Sequence, residues 1–361
     1  MRPADPEPIP SPRAAPIRVK LLGRVALRSW LRQFPRREPV WGPCRFLFGR
    51  DERDYDWLVV YEDLPPKGAE RLSRGAERLA CPRARTLLVT TEPSAVKTYG
   101  DAYAAQFGWV LTSQEPWALH HPGRIYAHSA LRWFYGVGAG HEVDHDALAA
   151  RTPPDKPRAI STVCSHKRQG HTLHRTRFDF TQRLKEALPE LEVFGRGVRD
   201  MDDKAEALDP YRYHVAIENH VAPHHWTEKL ADAFLGFCLP LYCGAPDAAD
   251  DFPPESFIPI DIRDPEAAIA TIRRAVRDGE YERRLPAIVE ARRRVLEEHN
   301  LFAVLAREIA ARHGAATSAG GGGDGVILAR HALRARHPLL GARDTLQKVA
   351  LRAARALGRV G

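Results

Sequence analysis

Between an apolar run and an amphipathic one, the sequence reads Glu-Asn-His-Val-Ala-Pro-His-His-Trp-Thr-Glu-Lys, residues 218–229. Residues of these types at the end of a strand and the start of a helix can hold a charged ligand. Thr227 is a good helix N-cap, and Glu228 in the first turn suits the positive end of the helix dipole. Lys229 does not suit it. A cation in a first turn opposes the dipole, so its presence is better explained by a nearby anion. Free N–H groups at a helix start, together with a lysine, form a phosphate site. A glutamate beside them can hold the vicinal hydroxyls of a ribose or another sugar. A nucleotide-sugar diphosphate would meet both groups, although a solvated Glu-Lys pair at an ordinary helix start also fits the motif. His220, His224 and His225 raise the question of zinc. No Cys or Asp accompanies them at ligand spacing, so the expectation is histidines lining a polar site, with no metal.

The elements that position this turn can be read on either side of it. Strand-like runs fall at 17–22, 44–48, 57–62, 86–92 and 109–113, with helix-like segments at 68–80 and 94–107. After the linker RTPPDKP (151–157), a second series of strands is expected at 159–164, 191–195, 213–218, 239–244 and 257–261. Its helices are expected at 175–187, 227–236, 265–278 and 279–313. Strands alternating with helices predict parallel sheets, here in two α/β domains. In such sheets ligands gather beyond the carboxyl ends of the strands, where Glu218 and Asn219 stand.

With 361 residues, 44% hydrophobic and 28% charged, the chain has the composition of an ordinary globular protein. Five cysteines without framework spacing point to a reducing compartment. The proline-rich start, residues 1–16, reads as disordered and lacks the apolar core of a signal peptide. The net charge of +8 is concentrated at the ends, with 11 Lys/Arg against 3 Asp/Glu in residues 1–50 and 8 against 1 in 325–361. No nucleic-acid motif accompanies it, and an anionic surface is the expected partner. A glycine-rich linker (315–325) precedes a tail (326–361). There Leu346, Val349, Ala350, Ala353, Leu357 and Val360 share one helical face, and Lys348, Arg352, Arg355 and Arg359 lie off it. This predicts an amphipathic helix that need not pack on the rest of the chain and can lie on an anionic membrane.

The 45 or so residues from Tyr213 to Ile258 resemble the C-terminal signature of glycosyltransferase family 10, the α1,3/4-fucosyltransferases, in its bacterial form. The shared pattern is a strand ending in Glu-Asn, a short loop, Thr-Glu-Lys, a helix, then Pro-Leu-Tyr-Cys-Gly-Ala-Pro and Pro-Glu-Ser-Phe-Ile. Val193–Gly197 is similar to a second segment of the family, and the N-terminal half is similar more weakly, through TTEP (90–93) and FGWVLTS (107–113). The resemblance implies a GT-B fold of two facing Rossmann-like domains. Residues 17–150 would present the acceptor and 151–314 would bind the donor.

It also implies roles. Lys229 matches the lysine on the donor diphosphate, Glu228 the glutamate on sugar or ribose hydroxyls, and Asn219 the donor-site asparagine. The segment 170–184 is similar to one in which an arginine opens a helix at the pyrophosphate; Arg177 has the expected spacing and Arg175 is the alternative. His225 stands where bacterial relatives often carry Tyr, a departure that bears on donor identity. Glu92, at the end of a strand in the other domain, is the implied general base. The implied reaction is inverting transfer of fucose from GDP-fucose to a glycan hydroxyl, with no cofactor and a divalent metal stimulatory at most. The implied acceptor is a glycan or a lipid-linked glycan; the cysteine usage and the basic amphipathic tail put the expected location in the cytoplasm, at the inner face of the cell membrane. The rival expectations are a GT-B enzyme for another nucleotide sugar and a non-catalytic glycan-binding protein.

Overall fold

The computed structural model describes residues 15–66, 68, 70–164, 173–314 and 325–356. The start of the proline-rich segment (1–14), the linker from 315 to 324 and the last five residues of the tail lie outside them. Two parallel sheets, each in its own α/β domain, form the frame. This is the GT-B arrangement.

The first sheet contains β1 (Ile17–Gly23), β2 (Val40–Trp41), β3 (Cys44–Leu47), β4 (Trp57–Tyr61), β6 (Thr86–Val89), β7 (Trp109–Thr112) and β8 (Arg124–Tyr126), in the order β2-β3-β1-β4-β6-β7-β8. All pairs are parallel except β2 with β3. β5 (Ala76–Arg78) lies outside this sheet. The central strand β4 is buried at every position, as an unbroken apolar run in a two-sided parallel sheet requires. Alternate residues serve opposite faces. Val59, Val89 and Leu111 join one core, and Leu58, Val60, Leu88 and Val110 join the other.

The second sheet contains β9 (Arg158–Val163), β10 (Glu192–Phe194), β11 (Tyr211–Ile217), β12 (Leu239–Cys243) and β13 (Ile258–Pro259) in the order β10-β9-β11-β12-β13, all parallel. Its helices are α1 (His174–Ala187), α2 (Glu228–Leu235), α3 (Pro265–Arg277) and α4 (Glu280–Glu297).

Four expectations are corrected. The helix-like run at 279–313 is two helices. The first ends at Glu297, and Asn300 caps α5 (Leu301–His313), its side-chain oxygen accepting from Phe302 N at 2.9 Å. Its amide donates to Gln33 O at 2.8 Å, across the domain boundary. α5 then packs on the first sheet, with Phe302 stacked on Phe34 at 3.8 Å and Leu305 and Ile309 in the same core. Thus 301–313 belongs with the first domain, not with the donor domain.

The run at 68–80 is not a helix. It contains β5, which pairs antiparallel with β14 (Val326–Leu328). Glu77 meets the buried Lys20 ammonium at 2.9 Å. Helical patterning loses here to strand pairing and a buried ion pair. In the run at 94–107 only Asp101–Ala104 is α-helical.

The tail is not free of the body along its whole length. β14 and α6 (Arg330–Arg336) complete the second core of the first domain through Ile327, Ala329 and Leu333. Arg330 donates from its backbone to Asp63 and from its guanidinium to Thr98 O. α7 (Pro338–Ala356) follows. Its Asp344 is buried against Gly100, whose φ is +89° and where a Cβ would lie 2.6 Å from the carboxylate. Residues 326–336 pack because Ile327, Ala329 and Leu333 have a hydrophobic face waiting for them. Ending the chain after Gly314 should therefore destabilise the first domain, while ending it after His337 should preserve a cooperative melt. Ile327→Ala alone should cost about 2–5 kcal/mol in chemical denaturation. An unchanged midpoint in the shorter truncation would show that β14 and α6 contribute nothing.

Candidate active site

The turn at 218–229 is built around a buried carboxylate. Glu218 follows β11 directly and is fully buried. It accepts from Thr227 N at 2.8 Å and from the Thr227 hydroxyl at 2.7 Å, and the Lys229 ammonium lies 3.3 Å away. Glu218 therefore clamps the start of α2 to the end of β11. Thr227 caps the helix as expected, accepting from Lys229 N. Lys229 donates to Thr227 and to Glu228, at 3.0 and 3.1 Å. The anions that offset Lys229 in the first turn are the protein's own Glu218 and Glu228. Burial alone would raise the Glu228 carboxyl, but Lys229 and Lys204 outweigh it and hold it at about 2. Burial would lower the Lys229 ammonium; Glu228 and Glu218 reverse that and raise it.

A cavity of about 250 Å³ opens over this cluster at the carboxyl ends of β9 and β11. Arg177, Lys204, Asn219, Glu228, Lys229 and Asp232 line it. Of the two candidate arginines, Arg177 is the one that reaches it. Arg177 shares an inward face of α1 with Phe180 and Leu184, is itself buried, and donates to the Asn219 side chain at 3.1 Å. Arg175 points to solvent, 3.8 Å from Asp179 one turn on. Arg177, Asn219, Glu228 and Lys229 are thus brought together, and Arg175 is not among them.

His225 is not in the cavity either. Its ring is buried against the first domain, 3.0 Å from the Ser113 hydroxyl, and burial depresses it to about 3. His220 meets Glu115 of the first domain at 2.7 Å. His224 meets Asp247 at 2.8 Å and the edge of Tyr126. Instead of lining a ligand site, the loop histidines join the two domains. Among the described residues, no group of side chains forms a metal site.

Glu92 belongs to the first domain, in the loop after β6. Its backbone is fixed, with the carbonyl accepting from Gln114 at 2.8 Å and the N–H directed at the Tyr99 hydroxyl. Its carboxylate makes no hydrogen bond within the described residues. Its side chain is exposed to solvent, yet desolvation by the surrounding protein raises its pKa, with Glu62 adding to the rise and Lys97 opposing it. Glu228 and Lys229 of the other domain also act on its charge. Among the described residues Glu92 is thus a carboxylate shifted upward and without a hydrogen-bond partner, close enough to Glu228 and Lys229 to respond to their charges.

Sequence reasoning missed Lys204. It projects from a short 3₁₀ helix (Lys204–Ala207) and meets Asp232 at 2.6 Å and Glu228 at 3.9 Å. The available signal was the capping box of Asp203 and Glu206 around it.

Comparison with known proteins places this cavity in a family. Residues 153–280 match the glycosyltransferase family 10 (fucosyltransferase) C-terminal domain. The chain carries a glycosyltransferase family 10 domain. Arg177, Lys204, Asn219, Glu228 and Lys229 all fall inside the matched region, and Glu92 falls outside it. The α-(1,3)-fucosyltransferase FucT of Helicobacter pylori is 36% identical to this chain over 59 residues, covering 16% of this chain and 12% of the relative. A solved α1,3-fucosyltransferase with GDP-fucose aligns with a TM-score of 0.46 and 16% identity, over 78% of this chain and 85% of that one. A GtfA/B complex aligns with a TM-score of 0.35 and 11% identity, over 72% and 53%.

Proposed function

We propose that the protein is an inverting glycosyltransferase that moves fucose from GDP-fucose to a glycan hydroxyl. The observation that carries this reading is the pairing of a cation-lined cavity, inside the family 10 region, with a first-domain carboxylate that has no hydrogen-bond partner among the described residues and responds to the charges of Glu228 and Lys229. Arg177 and Lys229 would neutralise the diphosphate, and most of all the charge it gains on leaving. Asn219 and Glu228 would orient donor hydroxyls. The acceptor oxygen attacks the anomeric carbon as the bond from that carbon to the phosphate oxygen breaks. GDP leaves with the electron pair, and Glu92 takes the hydroxyl proton. One displacement inverts the centre. With two cations already set for the phosphates, the step asks for no metal, so transfer is expected to persist in excess EDTA. The test is to follow GDP release from GDP-fucose in chelator, with and without a panel of oligosaccharide acceptors. Acceptor-stimulated release supports the reading. No release with any acceptor under chelation, followed by recovery on adding Mn²⁺, would overturn the metal-free step.

The place of action proposed is the inner face of the cell membrane, with a lipid-linked or other membrane-bound glycan as acceptor. The support is α7, which leaves Leu339, Leu346 and Val349 exposed beside Arg343 and Lys348. Each basic residue at an anionic leaflet contributes about 1 kcal/mol. The protein ended after His337 should lose sedimentation with vesicles containing phosphatidylserine. Undiminished sedimentation would remove α7 from this role.

A further inference from the structure

Three cations converge on the donor cavity from three separate elements. Arg177 comes from α1, Lys229 from α2, and Lys204 from the 3₁₀ helix that follows β10. Three carboxylates, Glu218, Glu228 and Asp232, stand against them. By formal charge the resting cluster is neutral, which is a poor attractor for a diphosphate. Its cations must therefore be able to change partners.

The carboxylates differ in how firmly they are committed. Glu218 is sealed in and spent on Thr227 and the start of α2. Asp232 is buried one turn further along α2. One of its oxygens accepts from Phe134 N and Tyr135 N, at 3.0 and 3.1 Å, and the other faces Lys204. Asp232 thus keeps two backbone hydrogen bonds whatever Lys204 does. Lys204 has a fixed base and a flexible end, which rests against Asp232 and over the Phe134 ring. Its neighbour Asp203 is held by Gly136 N and by the capping box with Glu206. Its own side chain is about a quarter exposed toward the cavity. A lysine is a point charge on a flexible stem and can swing between acceptors without a geometric penalty.

We propose that Lys204 is a third donor-binding cation, which leaves Asp232 to contact the diphosphate of the nucleotide sugar. The role rests on the donor reading above and adds a residue to it. Asp232 is the resting counter-ion and holds the segment at 134–135.

The test is calorimetry with GDP and guanosine on four proteins: wild type, Asp232→Asn, and Asp232→Asn combined with Lys204→Met or Lys204→Arg. Asparagine retains an oxygen for Phe134 and Tyr135 and removes the charge that competes for Lys204, so no variant has a buried, unpaired Asp232. Asp232→Asn should bind GDP more tightly than wild type. Adding Lys204→Met should weaken GDP about tenfold to a hundredfold, the range of a charged hydrogen bond, and leave guanosine unchanged. Adding Lys204→Arg instead should recover most of the loss. If Lys204→Met leaves GDP binding unchanged in that background, or weakens GDP and guanosine alike, Lys204 is structural and the proposal fails while the donor reading stands. If wild type fails to prefer GDP to guanosine, the donor reading fails, and the role of Lys204 fails with it.

Discussion

Glu92→Gln is expected to lower kcat by about 10²–10⁴-fold, the usual contribution of a positioned general base, and to leave GDP affinity unchanged. The split follows from placement. Glu92 lies in the domain opposite the cation-lined cavity, and its backbone is anchored by Gln114 and Tyr99 independently of its carboxylate. Glutamine keeps the size and loses only the ability to accept the proton. The pH profile gives a second readout. A base must be ionised to act, so kcat/KM should rise with pH through the pKa of Glu92. Desolvation, then Glu62, raises that pKa, so the acid limb should lie above the ordinary carboxylate range. Glu62→Gln should move the limb to lower pH. Turnover of Glu92→Gln within a few-fold of wild type would remove Glu92 from the chemistry, as would an acid limb that persists in it unchanged.

Lys229→Met should weaken GDP binding about tenfold to a hundredfold, as loss of a charged hydrogen bond does, and should also lower the melting temperature. The second effect arises because Lys229 serves the fold as well as the ligand. It offsets a fully buried Glu218 and lies beside Glu228. Burial already raises the Glu218 carboxyl, and Lys229 is the main influence in the other direction. Without Lys229, Glu218 should take up a proton rather than remain an isolated buried charge. Adding Glu218→Gln should then recover much of the lost stability and none of the lost affinity. Equal GDP affinity in wild type and Lys229→Met would exclude the lysine from the phosphate site.

The turn from β11 to α2 was legible in the sequence because local forces set it. A buried strand, a threonine cap and an amphipathic helix each leave a pattern within a dozen residues. Arg177 could also have been separated from Arg175, since it shares a helical face with Phe180 and Leu184 while Arg175 does not. The sequence concealed whatever depends on distant partners. Lys204 sits in a single 3₁₀ turn, with no periodicity to show which way it points. His225 looked like part of the ligand loop, but its partner, Ser113, belongs to the other domain. The run at 68–80 is patterned as a helix yet forms an edge for β14, some 250 residues later in the chain. A glycine-rich linker likewise says nothing about where the chain docks after it, so the packing of 326–336 became visible only with the first domain's second core in place.

The central claim is that the cavity lined by Arg177, Asn219, Glu228 and Lys229 holds GDP-fucose. The measurement that tests it most directly is calorimetric titration of the full-length protein with GDP-fucose, GDP-mannose and UDP-glucose, repeated on Arg177→Met. The expected result is saturable binding of GDP-fucose, weaker binding of GDP-mannose, little of UDP-glucose, and a marked loss of GDP-fucose affinity in Arg177→Met. Preference for UDP-glucose, or GDP-fucose affinity that survives Arg177→Met intact, would contradict it.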